Sequence, residues 1–276
     1  MAVAHAVARA FERGIAPLRL AESWDNVGLL IESPIIHPNR NRVLLTIDLT
    51  TAVAEEALST STSLIVSYHP PIFSGLKSLT SANPIQRSLL RCVTGGISVF
   101  SPHTALDSVR GGVNDTLAAS LGTSSSVDIL GEMKENDAGA GRIVTLSNTV
   151  SLNTLSERVK AYCGLKHVQV GVSSKLSSLT ENSIRTIALC AGSGGSVLKG
   201  AKADVYLTGE LSHHEVLAAV AQGTSVILCG HSNTERPYLP VLQQKLQEAL
   251  DKDPELQGEK YEVVVSSADK DPLEIL

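Results

Sequence analysis

The amino-acid sequence predicts an α/β protein of two similar lobes, each a mixed, mostly parallel sheet covered by helices. Short apolar segments rich in valine, isoleucine and leucine alternate with helical segments, which is the pattern of βαβ units. Aromatic residues make up only 3% of the 276 residues, so aliphatic side chains must fill the interior, as is usual in parallel sheets. The two halves of the chain repeat this alternation, which hints at duplication, although no clean sequence repeat is visible.

The first half of the chain is predicted to hold a first helix, then three strands with helices between them. The apolar residues of the N-terminal segment recur at helical spacing, and Pro17 would end that helix. The strands are predicted at Val43–Ile47, Leu64–Ser67 and Ile97–Phe100. The helices are predicted at Thr51–Leu58, Pro84–Val93 and Val113–Leu121. Pro84 suits the first turn of its helix, because its missing N–H is not needed there.

The middle of the chain, residues 122–141, is polar and rich in glycine and serine. Such a composition is typical of a boundary between lobes. We therefore predict a first α/β lobe over residues 1–125, a linker over 126–141 and a second α/β lobe over 142–276. The second lobe is predicted to contain strands at Ile143–Leu146, Val168–Val172, Ile187–Cys190, Val205–Leu207, Val226–Cys229 and Tyr261–Val265. Its helices are predicted at Leu155–Tyr162, Ser196–Ala201, His213–Gln222 and Glu235–Leu250.

The charge and the cysteine content limit the partners and the compartment. A formal net charge of −5 gives no general attraction to nucleic acid or to anionic membranes. The four cysteines are scattered without a CxxC pair, which favours a reduced compartment and no disulfides. No apolar run approaches the ~20 residues of a membrane span. We expect a cytoplasmic protein, since the N-terminus, which faintly resembles a mitochondrial presequence, is more simply explained as a first amphipathic helix.

Histidines and carboxylates collect where the predicted strands end. Five of the eight histidines lie at or just beyond the carboxyl ends of predicted strands, namely His69, His103, His213, His214 and His231. In open α/β sheets these ends line the ligand crevice, so side chains distant in sequence converge there. Carboxylates accompany these histidines: Asp107 lies four residues after His103, Glu210 just before His213, and Glu235 four residues after His231. One such histidine alone would be explained as a hydrogen-bonded loop residue, but the set predicts a centre for zinc, manganese or iron(II).

Two glycine-rich turns follow predicted strands. The residues Gly192, Ser193, Gly194 and Gly195 precede a short predicted helix that contains Lys199. Backbone N–H groups in such a turn, together with the lysine, can hold a phosphate, but a tight connection between strand and helix explains the turn equally well. Asn114 in the second turn, after Gly111 and Gly112, is suited either to bond a ligand or to shape the turn.

The sequence resembles the Nif-three-like family, whose bacterial members are often called GTP cyclohydrolase I type 2 homologues. The resemblance covers nearly the whole chain and rests on phrases in a fixed order: AESWDNVGLL (21–30), SYHPPIF (67–73), PHTALD (102–107), GGVND (111–115), AGSGG (191–195), ADVYLTGELSHHE (203–215) and GHSNTERPYLPVL (230–242). It implies two related, intertwined lobes, one or two metal ions per chain in the cleft between them, and a ring-shaped homohexamer. SYHPPIF and HSNTER are similar to the eukaryotic branch of the family.

The family's metal ligands carry over to four residues of this chain, His69, Asp107, His231 and Glu235. The resemblance also places His103 and His214 at the site. Tyr68 stands where bacterial relatives commonly have a second histidine. A phenol binds divalent metals poorly near neutral pH, because its pKa is near 10, so two fully occupied metal positions are not expected.

The sequence leaves open whether the chain is an enzyme. The first hypothesis is a metal-dependent hydrolase, similar to GTP cyclohydrolase, that acts on a nucleotide or another phosphate-bearing small molecule. Its catalytic residues would be His103, Glu210 and Glu235, and its phosphate would lie at residues 192–195, Lys199 and His214. The alternative is a non-catalytic, metal-containing scaffold or interaction protein, such as a transcription-factor partner or a metal chaperone.

Local geometry predicts how His231 and Glu235 act together. Ser232 and Asn233 are good N-cap residues, and Pro237 favours an early helical turn. We therefore expect Glu235 in the first turn of a helix, with its side chain beside that of His231. A capping box, in which Glu235 accepts the N–H of Ser232, is the alternative.

Overall fold

A computed structural model describes residues 2–37 and 40–275. Within them the chain forms eleven strands and nine α-helices. The strands are β1 Gly28–Ile31, β2 Arg42–Thr46, β3 Thr62–Ser67, β4 Ser98–Ser101, β5 Ser124–Leu130, β6 Gly141–Val150, β7 Gln169–Gly171, β8 Ile184–Ser193, β9 Val205–Glu210, β10 Ser225–Leu228 and β11 Glu262–Val265. The helices are α1 Ala2–Ala10, α2 Thr51–Ser59, α3 Pro84–Thr94, α4 Thr104–Ser108, α5 Val113–Ala119, α6 Leu152–Cys163, α7 Gly195–Leu198, α8 His213–Ala221 and α9 Leu239–Asp251.

The chain divides into two compact units. The first contains Met1–Leu106 and Leu239–Pro272, and the second contains Asp107–Tyr238 and Leu273–Leu276. Each unit is built on one sheet with helices packed against it, so the predicted α/β class with two sheets is confirmed. No helix in the described part of the chain is long and apolar enough to cross a membrane.

The sheet of the first unit has the strand order β1-β4-β3-β2-β11. Strand β1 is antiparallel to β4, and the other neighbours are parallel. Leu44, Ile65 and Val99 point to the face that α2 and α3 cover. The next residue along β4, Phe100, points to the opposite face and packs against Phe11, at the end of the first helix, with ring centroids 4.9 Å apart. Parallel β2, β3 and β4 therefore end at one edge of a sheet that is covered on both faces.

The sheet of the second unit has the order β5-β6-β8-β9-β10-β7. Its inner strands β8, β9 and β10 are parallel, whereas β5, β6 and β7 pair antiparallel with their neighbours. The second sheet is therefore more mixed than the first. The helices begin where the sequence supplies caps: Asn83 caps α3, Ser151 caps α6, and Ser212 forms a capping box with Glu215 at α8.

The predicted domain boundaries differ from those of the units. Residues 126–141, predicted as a linker, include most of β5, which pairs with β6 in the second sheet. An edge strand needs few apolar residues, and Val127 and Ile129 suffice among the serines that suggested a linker. The predicted second lobe over 142–276 also loses its C-terminal part, because α9 and β11 belong to the first unit, where β11 pairs with β2. Local composition shows neither the pairing of β5 with β6 nor the return of α9 and β11 to the first unit.

Candidate metal centre

In the first unit, His69 and Asp48 follow neighbouring parallel strands. Asp48 lies just after β2 and His69 just after β3, and Nδ1 of His69 is 2.9 Å from Oδ1 of Asp48. A carboxylate on Nδ1 fixes the ring orientation and the tautomer, which makes Nε2 the nitrogen suited to a metal. Sequence reasoning missed Asp48, although an acidic residue directly after a predicted strand, level with His69, was a usable signal.

The second unit repeats this pairing at its own strand ends. Glu210 ends β9 and His231 follows β10, and Nδ1 of His231 is 2.9 Å from Oε1 of Glu210. The other ring nitrogen, Nε2, is 3.3 Å from Oε1 of Glu235, whose side chain is only 3% exposed. Glu210 thus contacts Nδ1 and is placed to orient His231. Glu235 contacts Nε2, the nitrogen that is suited to a metal. The predicted catalytic role of Glu210 stays a prediction.

The backbone around Glu235 differs from the predicted start of a helix. Two 3-10 turns, Ser232–Thr234 and Arg236–Tyr238, flank Glu235, and α9 begins only at Leu239. A helix from Glu235 would place Pro240 beyond its first turn, where the missing N–H breaks the hydrogen-bond ladder. Starting at Leu239 keeps Pro240 in the first turn. The prediction that Glu235 lies in the first helical turn is therefore wrong, but its carboxylate does lie beside His231.

Gly192 lies directly against the His231–Glu235 pair. A Cβ at this position would stand 2.5 Å from Oε1 of Glu235 and 3.0 Å from Nε2 of His231. Gly192 also has a φ of +67°, which favours glycine. Gly209, just before Glu210, is as tight, because its Cβ would stand 2.7 Å from Cα of His231. These glycines provide the space that the imidazole and the carboxylate occupy.

The described residues include a group that could hold a metal ion, formed by His69, His231 and Glu235. Two imidazole nitrogens and one carboxylate oxygen are a donor set that suits zinc, manganese or iron(II), so the residues fit such an ion. All three were predicted as ligands. The fourth predicted ligand, Asp107, does not belong to this group. It lies in α4, and its backbone oxygen accepts a hydrogen bond from Nδ2 of Asn114 at 3.3 Å.

Asn114 shapes the turn that follows Asp107. Its side chain is fully buried, and its Nδ2 also donates to the carbonyl of Ala140 at 2.7 Å. Its Oδ1 accepts the N–H of Ala191 at 2.8 Å, next to Gly192. Of the two roles considered for Asn114, the structure supports the shaping of the turn. Asn114 links the loop after Asp107 to the end of β8.

His103 forms a third pair with a carboxylate, in the first unit. Its Nδ1 is 2.7 Å from Oδ1 of Asp25. The hydroxyl of Thr104 donates a further hydrogen bond to Oδ2 of Asp25. Burial would raise the pKa of Asp25, but the hydrogen bonds from His103 and Thr104 outweigh burial and lower it. His103 adopts a φ of +30°, which is uncommon for a residue with a side chain. Its N–H donates to the carbonyl of Tyr68 at 3.2 Å, which helps to hold this backbone conformation.

Tyr68 lies in the interior beside these histidines. Its ring is 3% exposed and meets the rings of His69 and His103 edge-on, at centroid distances of 5.0 and 5.6 Å. Tyr68, which the family resemblance aligns with a histidine of bacterial relatives, thus packs against His69.

The predicted phosphate site has fewer N–H groups to offer than its sequence suggests. The N–H of Gly192 donates to Oγ1 of Thr234 at 2.8 Å, and that of Gly194 donates to Oγ1 of Thr208 at 3.0 Å. Ser193 lies in β8, while Gly195 begins the four-residue helix α7. Lys199 and His214 are exposed, and His214 lies in the first turn of α8. The turn therefore serves first as a tight connection between strand and helix, and its phosphate role stays a prediction.

The comparisons with known proteins agree with the fold and identify the family. The sequence model of the family Duf34/NIF3 (NGG1p interacting factor 3) matches residues 4–272. The chain is 50% identical to the "Protein NIF3 homolog" of Schizosaccharomyces pombe over 263 residues, which cover 92% of each chain. It is 40% identical to the "NGG1-interacting factor 3" of Saccharomyces cerevisiae, over 92% of this chain and 90% of that one. The crystal structure of a Bacillus cereus protein related to NIF3 matches with a TM-score of 0.78 and 20% identity, over 99% of both chains.

The fold and the His/Glu group define an α/β protein of two units that carries residues suited to a divalent metal ion. The chain belongs to the Duf34/NIF3 family. The predicted resemblance to the Nif-three-like family is therefore confirmed.

Proposed function

We propose that this chain is a metal-dependent hydrolase that acts on a nucleotide or another phosphate-bearing small molecule. The observation that carries the proposal is His231, which has the carboxylate of Glu210 on Nδ1 and that of Glu235 on Nε2. His69, in the same candidate metal group, has the carboxylate of Asp48 on its Nδ1. Histidines held in this way by an outer carboxylate are typical of metal ligands.

Each residue near the proposed ion has a definite task. His69, His231 and Glu235 would bind the ion, and Asp107 is proposed as a further ligand. When bound, the ion supplies a Lewis acid that lowers the pKa of a water ligand to about 7. Asp48 and Glu210 keep the two imidazoles in one orientation. His103, whose Nδ1 faces Asp25, would exchange a proton with the substrate through its Nε2.

The phosphate of the substrate is proposed to lie near Lys199, with the Gly192–Gly195 turn beside it. The two threonine hydroxyls already accept the N–H groups of Gly192 and Gly194, so the ammonium of Lys199 would supply most of the attraction. The exposed imidazole of His214 is proposed as a second contact.

We further propose a cytoplasmic homohexamer, as the family resemblance implies. Exposed apolar side chains on the second unit, namely Val170, Val172 and Leu217, would lie in contacts between subunits. Light scattering of the purified full chain tests the hexamer, and a monomer would exclude it.

Turnover by the metal-loaded chain tests the function. Nucleotides and simple phosphoesters are incubated with protein reconstituted with zinc, manganese or iron(II), and the products are separated. Glu235→Gln should abolish turnover, because the candidate metal group loses its carboxylate. Glu215→Gln is the matched control, since glutamine also serves in the capping box of α8.

The alternative, a metal-containing interaction protein without catalysis, predicts a different result. Stoichiometric metal without turnover of any tested compound would favour it. The name of the Saccharomyces cerevisiae relative, "NGG1-interacting factor 3", gives the kind of partner to test first.

A further inference from the structure

Two aromatic side chains of the first unit lie exposed next to His103. Trp24 is 60% exposed and Phe73 is 52% exposed, and their ring centroids are 6.0 Å apart. The centroid of the His103 ring is 6.2 Å from that of Trp24 and 6.4 Å from that of Phe73. We call these two residues the Trp24–Phe73 surface. It adjoins a histidine whose ring centroid is 5.3 Å from that of His69, a residue of the candidate metal group.

The exposure of these rings contrasts with the other phenylalanines of the chain. The protein has three phenylalanines and one tryptophan, and both Phe11 and Phe100 are completely buried and in contact with each other. Aromatic side chains are scarce here, yet Trp24 and Phe73 face solvent together. Burial of such rings is strongly favourable, so an exposed pair indicates a surface that binds something.

Hydrogen bonds on either side of the two rings hold the surface in place. The carboxylate of Asp25, next to Trp24, binds Nδ1 of His103 and the N–H of Thr104. Nδ2 of Asn26 donates to the carbonyl of Ile72, next to Phe73, at 2.5 Å. The segments that carry the two rings are thereby joined to each other and to His103. A ligand that binds there meets a preorganised surface, which lowers the entropic cost of binding.

The chemistry of the surface favours a flat, neutral ring. The carboxylate of Asp25 is buried against His103 and Thr104, so it adds no exposed negative charge that would favour a cation over a neutral ring. Indole and phenyl faces bind planar rings by stacking, and every nucleobase has such a face. We propose that the Trp24–Phe73 surface stacks the heteroaromatic ring of a nucleobase-like ligand. This inference rests on the proposed function, because it places the ring of the substrate beside His103 and His69.

The position of the single tryptophan makes the proposal directly measurable. Trp24 is the only tryptophan of the chain, so its fluorescence reports this surface alone. The metal-loaded full chain is titrated with adenosine, guanosine and cytidine, and with ribose 5-phosphate, which lacks an aromatic ring. The nucleosides should quench Trp24 saturably, the purines at lower concentration than cytidine, and ribose 5-phosphate should leave the emission unchanged.

Phe73→Ala is the decisive variant, because it leaves the reporting tryptophan in place. It should weaken nucleoside binding about tenfold, within the range measured for the loss of one stacking ring. Ile36→Ala is the matched control, since Ile36 is a 61% exposed apolar residue of the same unit outside the surface. Equal nucleoside affinity in wild type and Phe73→Ala would overturn the proposal. A Trp24 emission that is typical of a buried indole, and that no nucleoside changes, would overturn it as well.

The outcome is separable from that of the proposed function. Glu235→Gln should lose turnover and keep the quenching by nucleosides, whereas Phe73→Ala should keep its metal content. Quenching that depends on Phe73 without any turnover would retain the ring site and reject the hydrolase. Turnover of a phosphoester without a ring, unchanged in Phe73→Ala, together with absent quenching would retain the hydrolase and reject the ring site.

Discussion

The strand ends of the two units share one pair of residues, a histidine and a carboxylate, but differ in the residues that surround this pair. In both, a histidine after one parallel strand binds, through Nδ1, a carboxylate that lies 21 residues earlier at the end of the neighbouring strand, at 2.9 Å. Beyond this shared pair the surroundings diverge. His231 has Glu235 and Gly192 beside it, whereas His69 lies near the rings of Tyr68 and His103.

One arrangement of strand and loop can therefore serve two tasks. The shared pair orients an imidazole, which both units need if both histidines bind the proposed ion. The additional carboxylate in the second unit supplies negative charge, and the additional rings in the first unit supply a surface for a ligand. Substitutions in the shared pair should therefore have similar effects in the two units, whereas substitutions in the residues around it should differ in their effects.

The largest effect is expected from removing either histidine. His69→Ala and His231→Ala should each reduce the metal content to background, because each removes a ligand of the candidate group. Elemental analysis of the purified variants measures this. His214→Ala, on exposed α8, is the control and should keep the metal of the wild type. If only one of the two variants loses metal, the two units are not equivalent in their shared part.

A buried ion pair of the second unit should have the next largest effect, on stability. Arg142 is fully buried, and its Nε lies 2.6 Å from Oδ1 of Asp115. Asp115→Asn leaves this guanidinium without its counter-charge and should cost about 3–5 kcal/mol of unfolding free energy in urea. Asp137→Asn, which removes an exposed partner of Arg110, should cost at most about 1 kcal/mol. Equal losses would contradict the role of burial.

The same pair predicts a dependence on pH. Burial would raise the pKa of Asp115, but the hydrogen bond and the charge of Arg142 outweigh burial and lower it. A folded pKa below the unfolded one stabilises the protein above the unfolded pKa, and this stabilisation is lost as the pH falls through the folded pKa. The advantage of the wild type over Asp115→Asn should therefore shrink in acid and stay constant near neutral pH.

The shared carboxylates should have intermediate and similar effects. Asp48→Asn and Glu210→Gln keep the shape of the side chain but lose its charge, so each should weaken metal affinity about 10–100-fold. Competition with a chelator of known affinity measures the loss. Asp25→Asn is the matched control, because Asp25 makes the same contact with His103, which lies outside the candidate metal group. A loss in this control would show that the effect is general to the region.

Gly192→Ala should have a small effect on stability and a selective effect on metal. Its Cβ would stand 2.5 Å from Oε1 of Glu235, so the carboxylate must move. Gly200→Ala is a control for the backbone alone, since Gly200 has a φ of +80° and no described atom lies within 4 Å of its Cβ position. Both should lose about 1–2 kcal/mol of unfolding free energy, but only Gly192→Ala should lose metal affinity. Equal metal affinity in the two variants would mean that Gly192 is needed only for its turn.

The sequence predicts the periodic parts of this molecule better than the contacts between distant segments. The strands that hold His69 and His231 are continuous apolar runs, and their positions were predicted within a few residues. Three of the four predicted ligands belong to the candidate metal group, whereas the binding of a metal itself stays a prediction. Asp25 was not assigned to the site, because its partner His103 lies 78 residues away and local sequence does not show this pairing. Asp48 could have been found from its position directly after a predicted strand.

The errors have two different origins. The edge strand β5 carries serines that local composition assigns to a linker, and only its pairing with β6 makes it a strand. The start of α9 at Leu239 could have been predicted from Pro240, because proline is tolerated in the first turn of a helix but not in its interior.

Metal content of the wild type and of Glu235→Gln, measured side by side, shows whether the candidate group binds a metal ion through Glu235. Full-length protein purified without chelator is analysed for zinc, manganese and iron, before and after reconstitution. We predict a transition metal in the wild type, below two per chain because Tyr68 replaces a histidine, and a loss in Glu235→Gln larger than that in Glu210→Gln. Metal at background in the reconstituted wild type, or equal metal in wild type and Glu235→Gln, would show that Glu235 is not a ligand of a metal ion in this protein.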